Sequence, residues 1–389
     1  MKRREFLTSS MSAALLVAMS PAFVSTKALA ADTIKLGVMI TLSGPAGLFG
    51  PSCKNCTQLA VDEINKAGGV LGKQIEVIYA DAGGSPSEAL KNAVRLYKGE
   101  KVDAVIGMHD SAVRGALTDL FKGKIPYIYT PIYEGGECAP GTYVIGETPA
   151  QQLSPVIPWL MENQTVSKWY LIGNDYNWPR DTNTAAKGYI KAAGGEVVGE
   201  DYLPFSADNF DASLAKIKAS GADAVLVTLV GGASVGFNRA FSSFGLDKQA
   251  LRLGTLIEEN TLAGIGAENA GRLYSSSGYF QNIRSPEAAA FSKRYYQKFG
   301  DDAPVLNALG ESCYDGVLLL NALANNAKSL SASSIAKASE GTSFSSPRGE
   351  MTLINGHVDK DIYLAKAVDG VFQVVETFND VSSDSTCRG

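Results

Sequence analysis

The chain has 389 residues, 45% hydrophobic and 19% charged, with a net charge of −5. That composition excludes wholesale disorder and fibrous repeats, and no lysine-arginine block offers a nucleic-acid footprint. Two histidines, His109 and His357, and five cysteines are too few for a histidine-rich metal centre or a disulfide scaffold, so no metal or cofactor is expected. At the N-terminus, Lys2, Arg3 and Arg4 precede an apolar stretch from Met11 to Val24, broken by Ser20 and Pro21. Ala28-Leu29-Ala30 then supplies a small-x-small cleavage pattern, and Arg3-Arg4-Glu5-Phe6-Leu7 fits a twin-arginine signal. Residues 1–30 are therefore expected to be an export leader cut after Ala30, which places the mature chain in the periplasm. No later stretch holds about 18 consecutive apolar residues.

The body alternates strands and helices. Ile34 to Ile40 is short, β-rich and bounded by the Ser43-Gly44-Pro45 turn. From Cys56 to Ala67, Leu59, Ala60, Ile64 and Ala67 recur at helical spacing, and Gly68-Gly69 ends the run. Strands are predicted over 75–80, 102–107 and 125–129, and helices over 86–97 and 113–121. The second half repeats the plan: strands over 169–173, 197–203 and 224–229, helices over 183–193 and 214–219. Ala67-Gly68-Gly69 matches Ala193-Gly194-Gly195, and Asp103-Ala104-Val105 matches Asp223-Ala224-Val225, each pair at the same place in the βαβ order. A duplicated α/β lobe follows, each copy a doubly wound parallel sheet.

Beyond Ser277 the pattern changes. Helices are predicted over 286–299, 304–324 and 331–339, then strands over 351–354, 363–368 and 372–377 with turns at Asn355-Gly356 and Asp369-Gly370. The helices have no strands of their own and are assigned to the first lobe; the hairpins are assigned to the second. The first lobe is thus 31–147 with 283–341, and the second 151–277 with 349–377. A tail of 378–389 follows. The chain crosses between the lobes three times.

Open α/β sheets bind ligands at the carboxyl ends of their strands. The loops there carry His109, Asp110 and Ser111; Tyr129, Tyr133 and Glu134; Tyr176 and Trp178; Val230 and Gly231; and Glu258. Aromatic walls with a few polar groups suit a small polar ligand. Ser111, at a predicted helix start, is placed to hold a carbonyl or carboxylate oxygen. Asp110, Glu134 and Glu258 are placed to accept N–H donors.

These residues carry a resemblance. Ile34 to Gly50, Leu59 to Asn65 with Gly68 to Gly72, Tyr133-Glu134-Gly135, Gly173-Asn174-Asp175-Tyr176 with Pro179-Arg180, and Val230-Gly231 together resemble a type I periplasmic solute-binding protein of an ABC transporter. The branch they resemble contains urea- and short-chain-amide-binding proteins and the amide sensor of the aliphatic amidase operon. The resemblance spans essentially the whole mature chain. It implies two lobes joined by three hinge crossings and closing on one ligand, with Ser111, Tyr129 and Tyr176 touching it. It also implies a membrane permease as partner, a monomer and no catalytic turnover. His109-Asp110 and Trp178 depart from the sensor's pattern. The added carboxylate favours urea, a short amide or another N–H-rich solute, with an amino acid as the alternative.

Gly232-Ala233-Ser234-Val235-Gly236 matches the G-x-S-x-G of a serine hydrolase after a strand and before a helix, with His357 the one histidine following it. A tight turn opening a helix explains the same residues. Cys53-Lys54-Asn55-Cys56 has redox-motif spacing without a supporting fold. Pairings of Cys53 with Cys138 and of Cys313 with Cys387 are expected instead.

Overall fold

The protein was analysed as a computed structural model in which residues 33–385 are described. The export leader, its cleavage after Ala30 and Cys387 lie outside the described residues. The first sheet is built from β1 (Ile34–Ile40), β2 (Ile75–Asp81), β3 (Ala104–Met108), β4 (Tyr127–Tyr129) and β5 (Thr142–Val144). Its order is β2-β1-β3-β4-β5 with every pair parallel. The helices α1 (Gly50–Lys66), α2 (Pro86–Val94) and α3 (Ser111–Phe121) connect successive strands. We call this sheet and the helices packed on it the first lobe.

After α4 (Pro149–Leu153) and α5 (Val156–Gln164) the chain enters a second sheet. Here β6 (Lys168–Asn174), α6 (Asn177–Ala192), β7 (Glu196–Leu203), α7 (Asp211–Ser220), β8 (Ala224–Thr228), α8 (Gly231–Ser243), β9 (Leu251–Gly254), α9 (Glu259–Ile265) and β10 (Leu273–Ser277) continue the alternation. The chain then returns to the first lobe as α10 (Pro286–Phe299) and α11 (Ala308–Ala327), whose buried faces join the core around β1 and α1. It continues through α12 (Ala332–Ala338).

The repeat seen in the sequence is a repeat of local chemistry. Gly69 donates its N–H to Ile64 and Gly195 to Ile190, both at 2.8 Å, closing α1 and α6 with the same hydrogen-bond pattern. Asp103 and Asp223 each take a backbone N–H at the start of the first strand of their lobe, at Lys35 (2.8 Å) and Lys168 (2.9 Å). Each aspartate also returns its own N–H to the carbonyl of that same lysine. One carboxylate thus fixes the register of the parallel pair in both lobes.

Two assignments change. The turn at Asn355-Gly356 does form a hairpin, but on the first lobe. It joins β12 (Gly349–Ile354) to β13 (His357–Val358) in a three-stranded antiparallel sheet with β11 (Ser343–Ser346). Gly356 accepts the N–H of Val144 at 2.8 Å, so the hairpin stays beside the short edge strand β5. The second hairpin, β14 (Lys360–Val368) with β15 (Val371–Val381), extends the second sheet to the order β15-β14-β10-β9-β8-β6-β7. Periodicity also placed the start of the long helix four residues too early. Asn307 is its N-cap, with extended backbone angles and its side chain accepting from Gly310 N–H at 2.9 Å, and Pro304 stays outside the helix.

Candidate functional site

The strand carboxyl ends of both sheets face one cavity of about 470 Å³. Asn177, at the start of α6, donates its side-chain N–H to Glu134 of the first lobe at 3.0 Å. Gly232 N–H donates to Pro45 O of the first lobe at 3.1 Å. Gly231 holds φ +54, and a Cβ there would stand 2.1 Å from the same Pro45 oxygen. Only glycine allows the two backbones to meet this closely.

Of the expected residues, His109, Asp110, Ser111, Tyr129, Tyr176, Trp178 and Val230 line the cavity. His109 shows why it must be neutral. Its Nε2 faces the Tyr127 hydroxyl at 3.0 Å and its Nδ1 faces Asp110 O at 3.1 Å. A donor Nδ1–H and an acceptor Nε2 satisfy both, with Tyr127 O–H donating. Burial lowers its pKa to about 4. Tyr129 O–H donates to the His109 carbonyl at 2.7 Å. Asp110 spends Oδ1 on capping α3 through Val113 N–H at 2.9 Å, and burial raises its carboxyl above the ordinary range.

Glu134 does not face the cavity as a free acceptor. It takes Ser111 O–H at 2.5 Å, Arg114 Nη2–H at 2.7 Å and the Asn177 amide across the cleft. Arg114 in turn pairs with Glu137 at 2.8 Å and lies over the Tyr129 and Tyr133 rings. Those carboxylates keep Arg114 firmly protonated although burial opposes it. Tyr133 points away from the cavity, its hydroxyl meeting His357 Nε2 and Glu137 N–H. Glu258 is turned inward as the N-cap of α9, accepting from Thr261 N–H and Oγ–H and from Asn260 N–H. Tyr133, Glu134, Gly231 and Glu258 therefore shape the site without lining it.

Val230 and Trp178 are the apolar liners expected from the sequence, but the cavity wall holds many more. Phe49, Met108, Pro131, Phe205, Leu256 and Leu309 all contribute to its wall. Phe205 packs its ring 4.8 Å from Tyr176. It follows β7, so the rule about strand carboxyl ends reaches its loop. The residue type carried no signal because an isolated Phe reads as core. Among the lining residues there is no lysine or arginine, and Asp175, the second acid there, is paired with Arg180 at 2.7 Å.

The crossings converge on buried charge. Glu147 lies in the first and Gly278 in the second, Lys360 opens β14 just past the third, and Arg348 reaches them from the turn between β11 and β12. Glu147 Oε1 accepts Gly278 N–H at 3.1 Å and Arg348 Nη1–H at 3.0 Å, with Lys360 Nζ at 3.9 Å. Arg348 also meets Glu311 at 2.8 Å and Asp315 at 2.9 Å from α11. All five side chains are at most 1% exposed. Burial works against the charge on Glu147, yet Lys360 and Arg348 hold its pKa below the usual value. Burial lowers Lys360 to about 8.

The rival chemistries find no support in placement. Ser234 is buried inside α8, its hydroxyl unpartnered, while His357 is engaged by Tyr133 and by Asn355 O. Cys53, Cys56 and Cys313 are free, buried thiols. The pairings of Cys53 with Cys138 and of Cys313 with Cys387 are therefore corrected. Cys53 and Cys56 sit on α1 where it packs on α11, with Cys313 on the facing helix. Burial pushes the Cys53 and Cys56 thiols well above their ordinary range, unlike a reactive redox pair.

Two similar α/β lobes facing one mostly apolar cavity are the arrangement of a solute-binding protein. The chain belongs to the periplasmic binding protein family, whose model matches residues 33–371. It is 28% identical to the Leu/Ile/Val-binding protein homolog 6 of Brucella melitensis over 90% of this chain and 92% of that one. Among solved structures, a solute-binding protein of an ABC transporter from Rhodopseudomonas palustris HaA2, in complex with p-hydroxybenzoic acid, superposes with a TM-score of 0.84. That pair is 27% identical and covers 92% of this chain and 100% of that one. A second R. palustris solute-binding protein, in complex with 4-hydroxybenzoate, gives 0.83 at 26% identity, covering 91% and 99%. The Streptococcus pneumoniae LivJ protein with isoleucine gives 0.78 at 24% identity over 89% and 99%, a likeness of fold alone.

Proposed function

We propose that the protein is the periplasmic solute-binding component of an ABC uptake transporter, and that its cleft takes a small, largely apolar carboxylic acid of the hydroxybenzoate type. It works as a monomer, delivers its ligand to a membrane permease and catalyses no turnover. The observation that carries the ligand class is the cavity wall. Tyr176, Phe205 and Trp178 offer ring faces and edges, and the remaining liners are mainly aliphatic. An aromatic ring gains about 0.5–1.5 kcal/mol from each such pairing beyond its area burial.

The acid group is matched by helix ends and not by a cation. The N-terminal caps of α6 and α8, Tyr176 and Val230, both line the cavity, and neither helix has a side-chain cap there. The positive ends of the two helix dipoles suit a carboxylate, although the first turn of α8 already gives Gly232 N–H to Pro45 O. Asp110 is the acid available to a phenol or an ammonium group. The last possibility keeps a branched-chain amino acid as the second reading, favoured by the names of the curated relatives. Urea or a short amide, the reading closest to the sequence resemblance, is a poorer match. Such a ligand would leave much of a 470 Å³ apolar cavity uncovered, and Glu134, the acceptor assigned to its N–H groups, is already engaged by Ser111, Arg114 and Asn177.

The test is calorimetric titration and thermal shift with 4-hydroxybenzoate, benzoate, leucine, urea and acetamide. The expected order puts 4-hydroxybenzoate first. At 100 times Kd a ligand adds about 2.7 kcal/mol to folding stability. Stabilisation by leucine alone selects the amino-acid reading. Stabilisation by urea or acetamide alone overturns the carboxylate.

A further inference from the structure

We propose that the cleft is polarised between its two walls: Asp110 of the first lobe accepts a hydrogen bond from the ligand, and the second lobe receives the ligand's carboxylate at Tyr176 and Trp178. Given the aromatic-acid reading on which this rests, Asp110 is the residue that selects a ring hydroxylated opposite its acid group over the same ring without the hydroxyl.

On the first-lobe wall the side-chain donors are spent. Thr41 donates its hydroxyl to Ala46 O at 3.1 Å, Ser85 to Glu88 at 2.7 Å, Ser111 to Glu134 at 2.5 Å and Tyr129 to His109 O at 2.7 Å. His109 uses one ring nitrogen on Asp110 O and the other on the Tyr127 hydroxyl. What remains is an acceptor. Asp110 gives Oδ1 to Val113 N–H at 2.9 Å, and a carboxylate has about four lone-pair sites, so Oδ2 can take a further donor. Behind this wall Arg114 is shared by Glu134 and Glu137, one cation against two carboxylates. A ligand carboxylate held by Ser111, the placement suggested by the sequence, would meet the like charges of Asp110 and Glu134 in a site of low dielectric, where repulsion is strong.

The second-lobe wall has the opposite character. Trp178 is 2% exposed and the Tyr176 ring packs 4.8 Å from Phe205, yet the Tyr176 hydroxyl and the Trp178 indole N–H make no hydrogen bond to another described residue. Burial, with Asp110 next, holds the Tyr176 hydroxyl well above its ordinary range, so it stays a donor. Asp175, the acid on this wall, is paired with Arg180 at 2.7 Å. Both rings sit at the start of α6, 16 residues long, whose positive end adds to the two donors. A carboxylate placed here gains charge-assisted hydrogen bonds. A hydroxyl at the opposite end of the ring answers Asp110. A ring without it covers that carboxylate and offers it no donor, and the uncompensated desolvation weakens binding.

The test is calorimetric titration of the full chain with 4-hydroxybenzoate, 4-fluorobenzoate and benzoate. The fluoro acid keeps a substituent at the same place but has no donor. Wild type should bind 4-hydroxybenzoate about tenfold or more tightly than either other acid, the scale of a hydrogen bond to a charged group. Asp110→Ser keeps a capping hydroxyl for α3 and removes the carboxylate. In that variant the preference should largely vanish while benzoate affinity holds or rises. Tyr176→Phe should weaken all three acids by a similar factor and leave the preference intact. A preference that is absent in wild type or survives Asp110→Ser, or a Tyr176→Phe loss confined to 4-hydroxybenzoate, overturns the polarity and leaves the aromatic-acid reading standing. Binding of none of the three by wild type overturns both. If thermal melts show that Asp110→Ser does not fold, the Tyr176→Phe pattern decides alone.

Discussion

The cleft and the hinge use charge in opposite ways. At the hinge, Glu147, Glu311, Asp315, Arg348 and Lys360 lie together out of water, and each is answered by another. At the cleft, the charged groups are drawn back from the cavity. Glu134 is taken up by Arg114, Ser111 and Asn177, Glu258 caps α9, and the wall left facing the ligand is mostly apolar. Where the chain passes between the lobes, groups from distant parts of the chain must hold one geometry, and the charge-assisted hydrogen bonds of the buried cluster are directional. The cavity needs a surface whose desolvation by the ligand costs little. Buried unpaired charge would be expensive in either place, so each region satisfies its charges internally.

The sharpest break of that contrast is Arg348→Met. It leaves three buried carboxylates without their shared cation, and loss of one partner from such a cluster costs about 3–5 kcal/mol. Urea unfolding should show this as a lower midpoint with an unchanged slope. An effect below about 1 kcal/mol would mean that the cluster neutralises itself by protonation.

Glu134→Gln is next. It keeps the shape of the side chain but removes the charge-assisted bonds to Ser111 and Arg114 and weakens the one from Asn177. Hydrogen bonds to charged groups are worth about 1.5–3 kcal/mol. Part of that loss should appear as weaker ligand binding, since the Asn177 bond exists only between the lobes. Asn177→Ala should reproduce the binding loss with little effect on the stability of the ligand-free chain, measured by titration calorimetry and thermal melts. Equal losses in both assays would make Asn177 a structural residue rather than a latch.

The hinge lysine sharpens the comparison through pH. Lys360 has a pKa of about 8 in the folded chain, because burial disfavours its charge, against about 10.4 when unfolded. Between those values the unfolded chain binds more protons, so the contribution of this group makes stability rise with pH from about 8 upward. The cleft histidine acts in the acid range with the same sign. His109 is near 4 when folded and about 6.5 when unfolded, so its contribution falls away as pH drops from about 6.5 to 4. Stability–pH curves for Lys360→Met and His109→Gln should each lose slope in one window and keep it in the other. Parallel curves for variant and wild type would remove the assignment.

The smallest effect is expected at the rim. Asp175 and Arg180 are each about half exposed, so their pairing is screened by water. Asp175→Asn should change stability by less than about 1 kcal/mol, measured by thermal melts; a larger loss would show that the rim pair is part of the closed structure.

Much of the architecture was legible because it repeats. Parallel βαβ units have a fixed hand and place their functional loops at one end. Asp103 with Asp223 and Gly69 with Gly195 perform the same local tasks in both lobes. That was enough to bring His109, Asp110, Ser111, Tyr129, Tyr176, Trp178 and Val230 to one cavity. The identity of a cleft-facing loop is a matter of chain order and period. The direction of each side chain on that loop is not. Tyr133 and Glu258 sit on correct loops but point into the protein, because a hydroxyl and a carboxylate found donors and acceptors there. Phe205 and Leu309 face the cavity with residue types that a sequence reader assigns to the core.

The hinge was illegible for a related reason. Arg348 sits in a short polar stretch, Ser-Ser-Pro-Arg-Gly-Glu, where arginine is ordinarily solvated. It is buried because Glu147, Gly278 and α11, from three distant parts of the chain, meet around it. The hairpin at Asn355-Gly356 shows the same division. The turn residues dictate that a hairpin forms, while the unpaired edge beside β5 decides which lobe receives it. Local sequence determined the elements and the ends of the strands that carry function, since these follow from period, caps and chirality. Tertiary structure alone decided the charge of the cavity wall, the partners of the buried acids and the lobe that took each late strand, because those depend on which surfaces exclude water together.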